Sequence, residues 1–383
     1  MAAQRLCCLN SSYTMCNTFF GLFPAQECSS DVDFVTAYVF GDPHITTFDQ
    51  LSYSMNGWGE FTLMSVTTQD FVLQARTGRA RTPYGTFVNA TVLTAVAASD
   101  GNHSHFQAVL DSSGTGMILH VNGQNVTDDF YKKDDFNWTP NNTVSVWREC
   151  GQNKTFVLAM FPSGVTVKIN TALQNLELEI QATKFLMNKT VGLLGNFNNI
   201  SEDDLSPTSG FNVSTPIDWR DSKFDQTYIQ KWRVNRTHSV FKYRDKEDLS
   251  SLQDFRPTFA KDLNLNNSLD ICGSRDELCS FDNLVMLDWV FAKNTHNFRS
   301  YHSNRDDKLR NNPPTLSLRD KDILVDGRWI VTDGLVEHLE LATSDKDGHQ
   351  VTVSWVDGPP EARRVTNLTL KYVPDVRVPT RIG

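Results

Sequence analysis

The tetrapeptide Gly41-Asp42-Pro43-His44 sets a carboxyl group immediately before a tertiary amide. The Asp42 side chain can attack its own main-chain carbonyl and close a five-membered cyclic anhydride. Pro43 then departs through its nitrogen, which leaves more readily once protonated. Such a bond is acid-labile. A fold that strains it, desolvates the carboxyl or brings an acid near would make scission self-catalysed. His44 is the candidate proton donor, since an unperturbed imidazole titrates near pH ~6.5. An architectural reading stands beside this one: Gly41 and Pro43 shape a turn into a strand, and His44 packs within it.

A second group lies in "GLLGNFNNISEDDL", Gly192 to Leu205. Asn196, Asn198, Asp203 and Asp204 bring oxygen donors into one loop after a glycine-flanked apolar turn, and hard oxygen ligands in a flexible loop suit Ca²⁺. The spacing is not that of an EF-hand, and an Asx-rich surface turn carrying a glycan at Asn199 fits the same residues. Enzyme signatures are missing elsewhere. There is no G-x-S-x-G and no H-E-x-x-H, and the 9 histidines are scattered.

The elements that must hold these residues are mostly strands. From Val39 to about residue 243, short alternating runs such as "GEFTLMSV", "DFVLQART", "GMILHVNG" and "LELEIQA" are broken by Gly, Asn and Ser. Period-two apolar patterning with regular turn residues predicts an antiparallel β-sandwich. "FPSGV" reads as a hairpin turn. Over 244–312 the chain becomes charged and helical, with Leu278, Phe281, Leu284, Leu287, Trp289 and Val290 on one stripe, predicting a bridging helix against the sandwich. "NNPPTL" marks a boundary. Renewed alternation over 313–383 predicts a second, smaller β-sandwich of immunoglobulin-like or cadherin-like kind. The fold class is therefore mostly β.

The chain has 383 residues, 39% hydrophobic and 21% charged, with a formal charge of −9 and a pI near 5.5. That balance excludes a nucleic-acid or anionic-membrane partner, because phosphate binding needs clustered Lys and Arg. The one dense basic run, "RTGRART" from Arg76, is read as a solvated hairpin end. No window approaches the roughly 18 apolar residues of a membrane-spanning helix, so this segment itself inserts in no membrane.

Asn-x-Ser/Thr acceptors at Asn10, Asn89, Asn102, Asn125, Asn137, Asn141, Asn153, Asn188, Asn199, Asn212, Asn235, Asn266 and Asn367 point to a secretory-pathway glycoprotein. Of the 7 cysteines, Cys7, Cys8, Cys16 and Cys28 crowd the start, Cys272 and Cys279 form a second pair, and Cys150 stands alone. Disulfides at the first four and at Cys272 and Cys279 are expected, since no C-x-x-C with companion histidines suggests zinc. The polypeptide is expected to continue upstream, where a signal peptide would lie.

"GDPHITTFD", followed a domain's length later by "VGLLGNFNNISEDDL", resembles the opening and closing motifs of a von Willebrand factor type D domain. "WRVNRTHSVFKY" and "ICGSRDELCSFD" are similar to the tail of that domain in the subgroup containing mucin-4, sushi domain-containing protein 2 and Mesh. "CCLNSSYTMCNTFFGLFPAQEC" resembles the end of an AMOP module. The resemblance implies an AMOP-like remnant at 1–36, the type D domain at 37–243, the helical bridge at 244–312 and the final sandwich at 313–383. It also implies scission between Asp42 and Pro43, and a calcium site of Asp49, Asn196, Asn198, Asp203 and Asp204. Departures matter. Leu194 stands where gel-forming relatives have Cys, Gln50 where they have Gly, and only Cys150 lies inside the domain, so disulfide-linked polymerisation is not expected. The expected protein is an adhesive, membrane-tethered glycoprotein on the outer cell surface. Its partners would be extracellular proteins or cell-surface components, and self-cleavage its only chemistry. A secreted receptor or lectin-like binder without self-cleavage is the alternative, and would take a saturable small ligand.

Overall fold

The computed structural model describes residues 34–101, 103–139, 143–150, 154–205, 218–242, 255–273 and 276–310, then six short strands between 315 and 372. Side chains are described as far as 304, except those at 266 and 268–270. Cys7, Cys8, Cys16, Cys28 and nearly all of the AMOP-like segment lie outside the described residues. So do Asn10, Asn102, Asn141, Asn153, Asn212, Asn367 and the side chain of Asn266.

The chain divides into two compact units, residues 1–298 and 299–383. The strands of the first are β1 (Phe34–Phe40), β2 (His44–Thr46), β3 (Ser52–Ser54), β4 (Gly59–Val66), β5 (Phe71–Arg81), β6 (Phe87–Asp100), β7 (Ser104–Leu110) and β8 (Met117–Val121). There follow β9 (Gln124–Asn125), β10 (Asn137–Trp138), β11 (Ser145–Cys150), β12 (Thr155–Met160), β13 (Val165–Ala172), β14 (Asn175–Thr183) and β15 (Thr190–Val191). One sheet has the order β10-β11-β12-β13-β14-β1-β2-β3, the other β15-β4-β5-β6-β7-β8-β9. All their pairings are antiparallel.

Alternation decides what each strand buries. On β14, Leu176, Leu178 and Ile180 enter the core between the sheets, where they join Phe61, Leu63, Phe71, Leu73 and Phe106 from the opposite sheet. β1 is apolar on both faces because both are covered. Ala37 and Val39 face that core, while Tyr38 and Phe40 pack with Leu278 and Phe298. The basic run belongs to β5 and reaches the turn only at Arg81, which corrects the hairpin-end reading. Arg76 pairs with Glu60 and lies over Phe241, and Arg81 lies over Phe87.

Five helices are present among the described residues: α1 (Thr127–Lys132), α2 (Ser222–Thr227), α3 (Leu269–Cys272), α4 (Glu277–Met286) and α5 (Trp289–Arg310). Cys272 and Cys279 form a disulfide that joins α3 to α4, and Cys150 is free and exposed. The predicted single stripe is corrected. Leu287 adopts φ 54, ending α4, and Asp288 accepts from the N–H groups of Val290 and Phe291 to start α5. Leu287, Trp289 and Val290 are consequently exposed. The buried residues of α4 are Leu278, Cys279, Ser280, Phe281, Asp282, Val285 and Met286. Phe281, Val285 and Met286 cover Ala80, Ala90 and Val92 of β5 and β6. From α5, Phe298 stacks on Phe40 and Asn294 donates to Glu177. The helical segment up to Phe298 is thus packed onto both sheets.

In the second unit, β16 (Thr315–Leu318), β19 (Glu337–Ser344), β20 (Ala362–Arg364) and β21 (Thr369–Tyr372) form a sheet of order β16-β19-β21-β20. β17 (Leu324–Val325) and β18 (Arg328–Trp329) form a separate hairpin.

Candidate functional site

Gly41, Asp42 and Pro43 make the tight turn between β1 and β2, closed by the Phe40–His44 pair. Gly41 has φ +64, and a Cβ on it would lie 2.8 Å from His44 Cδ2 and 2.9 Å from both Asp282 Oδ2 and Thr295 Oγ1. Only glycine meets both the backbone and the space. Pro43 accepts at its carbonyl from the N–H of Met55, fixing the far side of the turn.

Asp42 is fully buried. Its Oδ1 accepts from the Thr91 N–H of β6 at 3.1 Å, and its Oδ2 has no hydrogen-bond partner. Burial, and then the neighbouring Asp282 carboxylate, hold the Asp42 carboxyl well above the usual carboxylate range. His44 is also fully buried. Its Nδ1 lies 2.8 Å from Ser54 Oγ and its Nε2 2.8 Å from Asp282 Oδ1. Thr295 Oγ1 donates to Asp282 Oδ2 at 2.5 Å. Both ring nitrogens of His44 are therefore engaged with Ser54 and Asp282, and the acid beside the amide with an oxygen left free among the described residues is Asp42 itself, at Oδ2. The sequence reading of His44 as direct proton donor finds no such contact; the imidazole instead anchors the turn. Ser54, Thr91, Asp282 and Thr295 were not anticipated. One signal for Asp282 was legible: an acidic residue inside the apolar face of a helix.

The second candidate site joins the two ends of the domain. Asp49, in the loop after β2, accepts from the N–H groups of Asn198 and Asn199, each at 2.8 Å. Asn196 and Asn198 donate their carboxamides to Asp203 at 2.9 and 2.8 Å. Asp204 accepts from Thr47 Oγ1 at 2.6 Å and from the Asn196 N–H at 3.1 Å. Gly195 allows this approach, since a side chain there would collide with the Asp204 carboxylate. All five predicted residues are thus brought together, with Thr47 as an unanticipated member.

Among the described residues no three carboxylate, imidazole or thiol groups already converge as metal ligands. The donor chemistry nevertheless suits a hard cation. Asn196 Oδ1 is buried without a partner. The Asp204 carboxyl is pushed up to about 7, chiefly by burial and further by Asp49 and Asp203. A cation would relieve that repulsion. The six described glycosylation acceptors, Asn89, Asn125, Asn137, Asn188, Asn199 and Asn235, are all exposed. No helix among the described residues is long and apolar enough to cross a membrane.

An antiparallel two-sheet domain, with a Gly-Asp-Pro-His turn at its opening and an Asn/Asp loop returning to it, is the class defined by these observations. Residues 37–210 match the family model of the von Willebrand factor type D domain, and the chain carries that domain. It is similar to human Sushi domain-containing protein 2, with 27% identity over 68% of this chain and 32% of the relative. Mouse Mucin-4 is 25% identical over 90% of this chain and 10% of its own length. Protein mesh of Bombyx mori is 25% identical over 78% of this chain and 20% of its own. The chain spans a third or less of each of these relatives.

Proposed function

We propose that this chain is the extracellular type D portion of a membrane-tethered, mucin-like adhesion glycoprotein whose Asp42–Pro43 bond is broken by its own side chain. The observation that carries this reading is the fully buried Asp42 with an unpartnered Oδ2. A neutral carboxyl there holds the proton that the leaving nitrogen needs. One oxygen of the carboxyl adds to the Asp42 carbonyl carbon, the bond to Pro43 breaks, and the carboxyl proton passes to the Pro43 nitrogen. The products are a cyclic anhydride and a free secondary amine. One water then opens the anhydride to two carboxyl groups. The first step is intramolecular, so burial does not hinder it; the second needs water to enter the relaxed turn.

A cut chain would stay assembled. β1 is an interior strand, paired from Phe34–Thr183 to Val39–Leu178 with β14 on one side and with β2 on the other. Such a noncovalent joint would let an outer portion be released under force or at low pH.

Calcium is part of the proposal. Asp49, Asn196, Asn198, Asp203 and Asp204 would hold it, and it would supply charge neutralisation that ties the closing loop to the loop after β2. The partners proposed are extracellular proteins or cell-surface components, bound through faces and loops of the β-domains. The domain acts on no substrate but itself.

The test is intact mass and N-terminal sequencing of the secreted, deglycosylated chain after incubation at mildly acidic and neutral pH, with Asp42→Ala alongside. A new N-terminus at Pro43, lacking in the variant, is the expected result. An uncut chain under both conditions would leave the turn as architecture alone.

A further inference from the structure

Asp282 and Thr295 lie on α4 and α5, beyond the residues 37–210 that match the type D domain. Their side chains are nonetheless fully enclosed at the Gly41–His44 turn, and Asp282 is 238 residues from the His44 it holds. We propose that Asp282 and Thr295 are positioning residues that complete the self-cleavage site, so that the turn becomes competent to break only once the two-helix segment has docked. This rests on the self-cleavage reading of Asp42–Pro43.

Packing alone does not account for Asp282. It is fully buried on a helix whose residues Leu278 to Asp282, Val285 and Met286 are all enclosed, a place where a carboxylate is costly unless it is fully partnered. Both of its oxygens are used, Oδ1 by His44 and Oδ2 by Thr295. Through the first contact it fixes the imidazole that ends the turn. Through the second it is itself held by the next helix. Its Oδ2 also closes the space beside Gly41, which keeps the turn from relaxing toward the helices. Asp282 from α4 acts on Asp42 electrostatically and the Thr91 N–H from β6 bonds it, while His44 from β2 and the Thr295 hydroxyl from α5 are bonded in turn to Asp282. A negative neighbour favours the proton-bearing form of Asp42, the form that can deliver a proton to the Pro43 nitrogen. Before α4 and α5 dock, Asp42 lacks that neighbour and part of its cover, so an ionised carboxylate without a proton to give would be the resting state. The last contributor, Thr295, is made long after the turn, and scission would therefore follow folding of the whole unit.

The experiment compares wild type, Asp282→Asn, Thr295→Val and Thr295→Ser in the full secreted chain, following the rate at which the Pro43 N-terminus appears against pH. Melting temperature and the Cys272–Cys279 bond serve as fold controls. Asp282→Asn is expected to slow scission by about tenfold or more and to move the alkaline limb of the pH profile to lower pH. Thr295→Val is expected to slow it without moving that limb, and Thr295→Ser to restore it. A folded Asp282→Asn chain cut at the wild-type rate with the wild-type pH profile would overturn the inference. Should wild type itself remain uncut, the self-cleavage reading fails instead. The positioning contact is then judged by the His44 ring-nitrogen NMR resonances, assigned with His44→Gln: unchanged chemical shifts in Asp282→Asn overturn it, and a changed Nε2 shift supports it.

Discussion

At the opening turn the Asp42 and Asp282 carboxyls are wholly buried, whereas at the second site Asp49, from the loop after β2, and Asp203 are half-buried and Asp204 is enclosed. The two regions crowd acidic groups by different means. The turn does so beneath two helices, with a histidine bonded to one carboxyl and burial raising the proton affinity of the other. The second site does so with two of its three carboxylates reaching solvent, and with backbone N–H, carboxamide and Thr47 hydroxyl groups as partners. A buried carboxyl next to another carboxylate is a store of protons, while several carboxylates open to solvent invite a cation. The backbones differ in the same sense. The turn assigns its left-handed residue to Gly41, at φ +64, while the loop region places Gln50, Phe197 and Asn199 at φ 71, 55 and 67.

The largest effect is expected where the turn has no slack. Gly41→Ala forces a side chain into left-handed backbone and into contact with His44, Asp282 and Thr295. The backbone and overpacking costs together should reach about 3 kcal/mol. Urea unfolding checks this, and a loss below about 1 kcal/mol would mean that the helices yield easily, removing the contrast with the open loop.

Calcium should act on the other region. At a hundredfold excess over its dissociation constant it should stabilise the folded chain by about 2.7 kcal/mol, seen as a rise in melting temperature that a chelator reverses. Asp49→Asn should abolish the rise. A full response in that variant would show that the cation binds elsewhere and that the loop is only an Asx-rich turn.

The turn should also leave a mark on pH dependence. The folded Asp42 carboxyl is raised by burial and then by Asp282, whose own Oδ1 is bonded to His44. Above the unfolded value, near ~4, the folded chain keeps a proton that the unfolded chain releases. Asp42 therefore lends stability that is fully present below the unfolded value and lost as pH rises through the folded one. The slope for one proton approaches about 1.4 kcal/mol per pH unit. Asp42→Asn should flatten it, and equal slopes in urea titrations of the two proteins would show that Asp42 is ionised in the fold.

Much of this was legible in the chain. Period-two patterning located most of the longer strands of both sheets, though not β1, which begins at Phe34, ahead of Val39 where the alternating runs start, and the two motifs named the ends that meet. The misses are physical. The stripe through Leu287, Trp289 and Val290 failed because a left-handed residue at Leu287 and the Asp288 cap reset the helix phase, and periodicity carries no sign of that break. Asp282 showed locally only as an acidic residue among apolar helix positions, and its partner escaped because a hydrogen bond between residues 238 apart is made by packing. His44 was found with two readings open, proton donor or packed turn residue, since residue type announces a titratable ring and only geometry reveals that its nitrogens meet Ser54 and Asp282.

The smallest predicted effect sharpens the backbone half of the comparison. Gln50 stands where the gel-forming relatives carry glycine, and it adopts φ 71 with its N–H bonded to the Thr47 carbonyl. A residue with a Cβ tolerates this conformation only at a cost, which the neighbouring Asp49 contacts to Asn198 and Asn199 must offset. Gln50→Gly relieves the strain but widens the unfolded ensemble, and the two effects oppose each other. Where the native φ is positive the relief is the greater, so a gain of about 0.5–1 kcal/mol is expected in urea unfolding. A loss would mean that the Gln50 side chain, and not its backbone, holds the loop, and the closing region would then be as tightly specified as the turn it was set against.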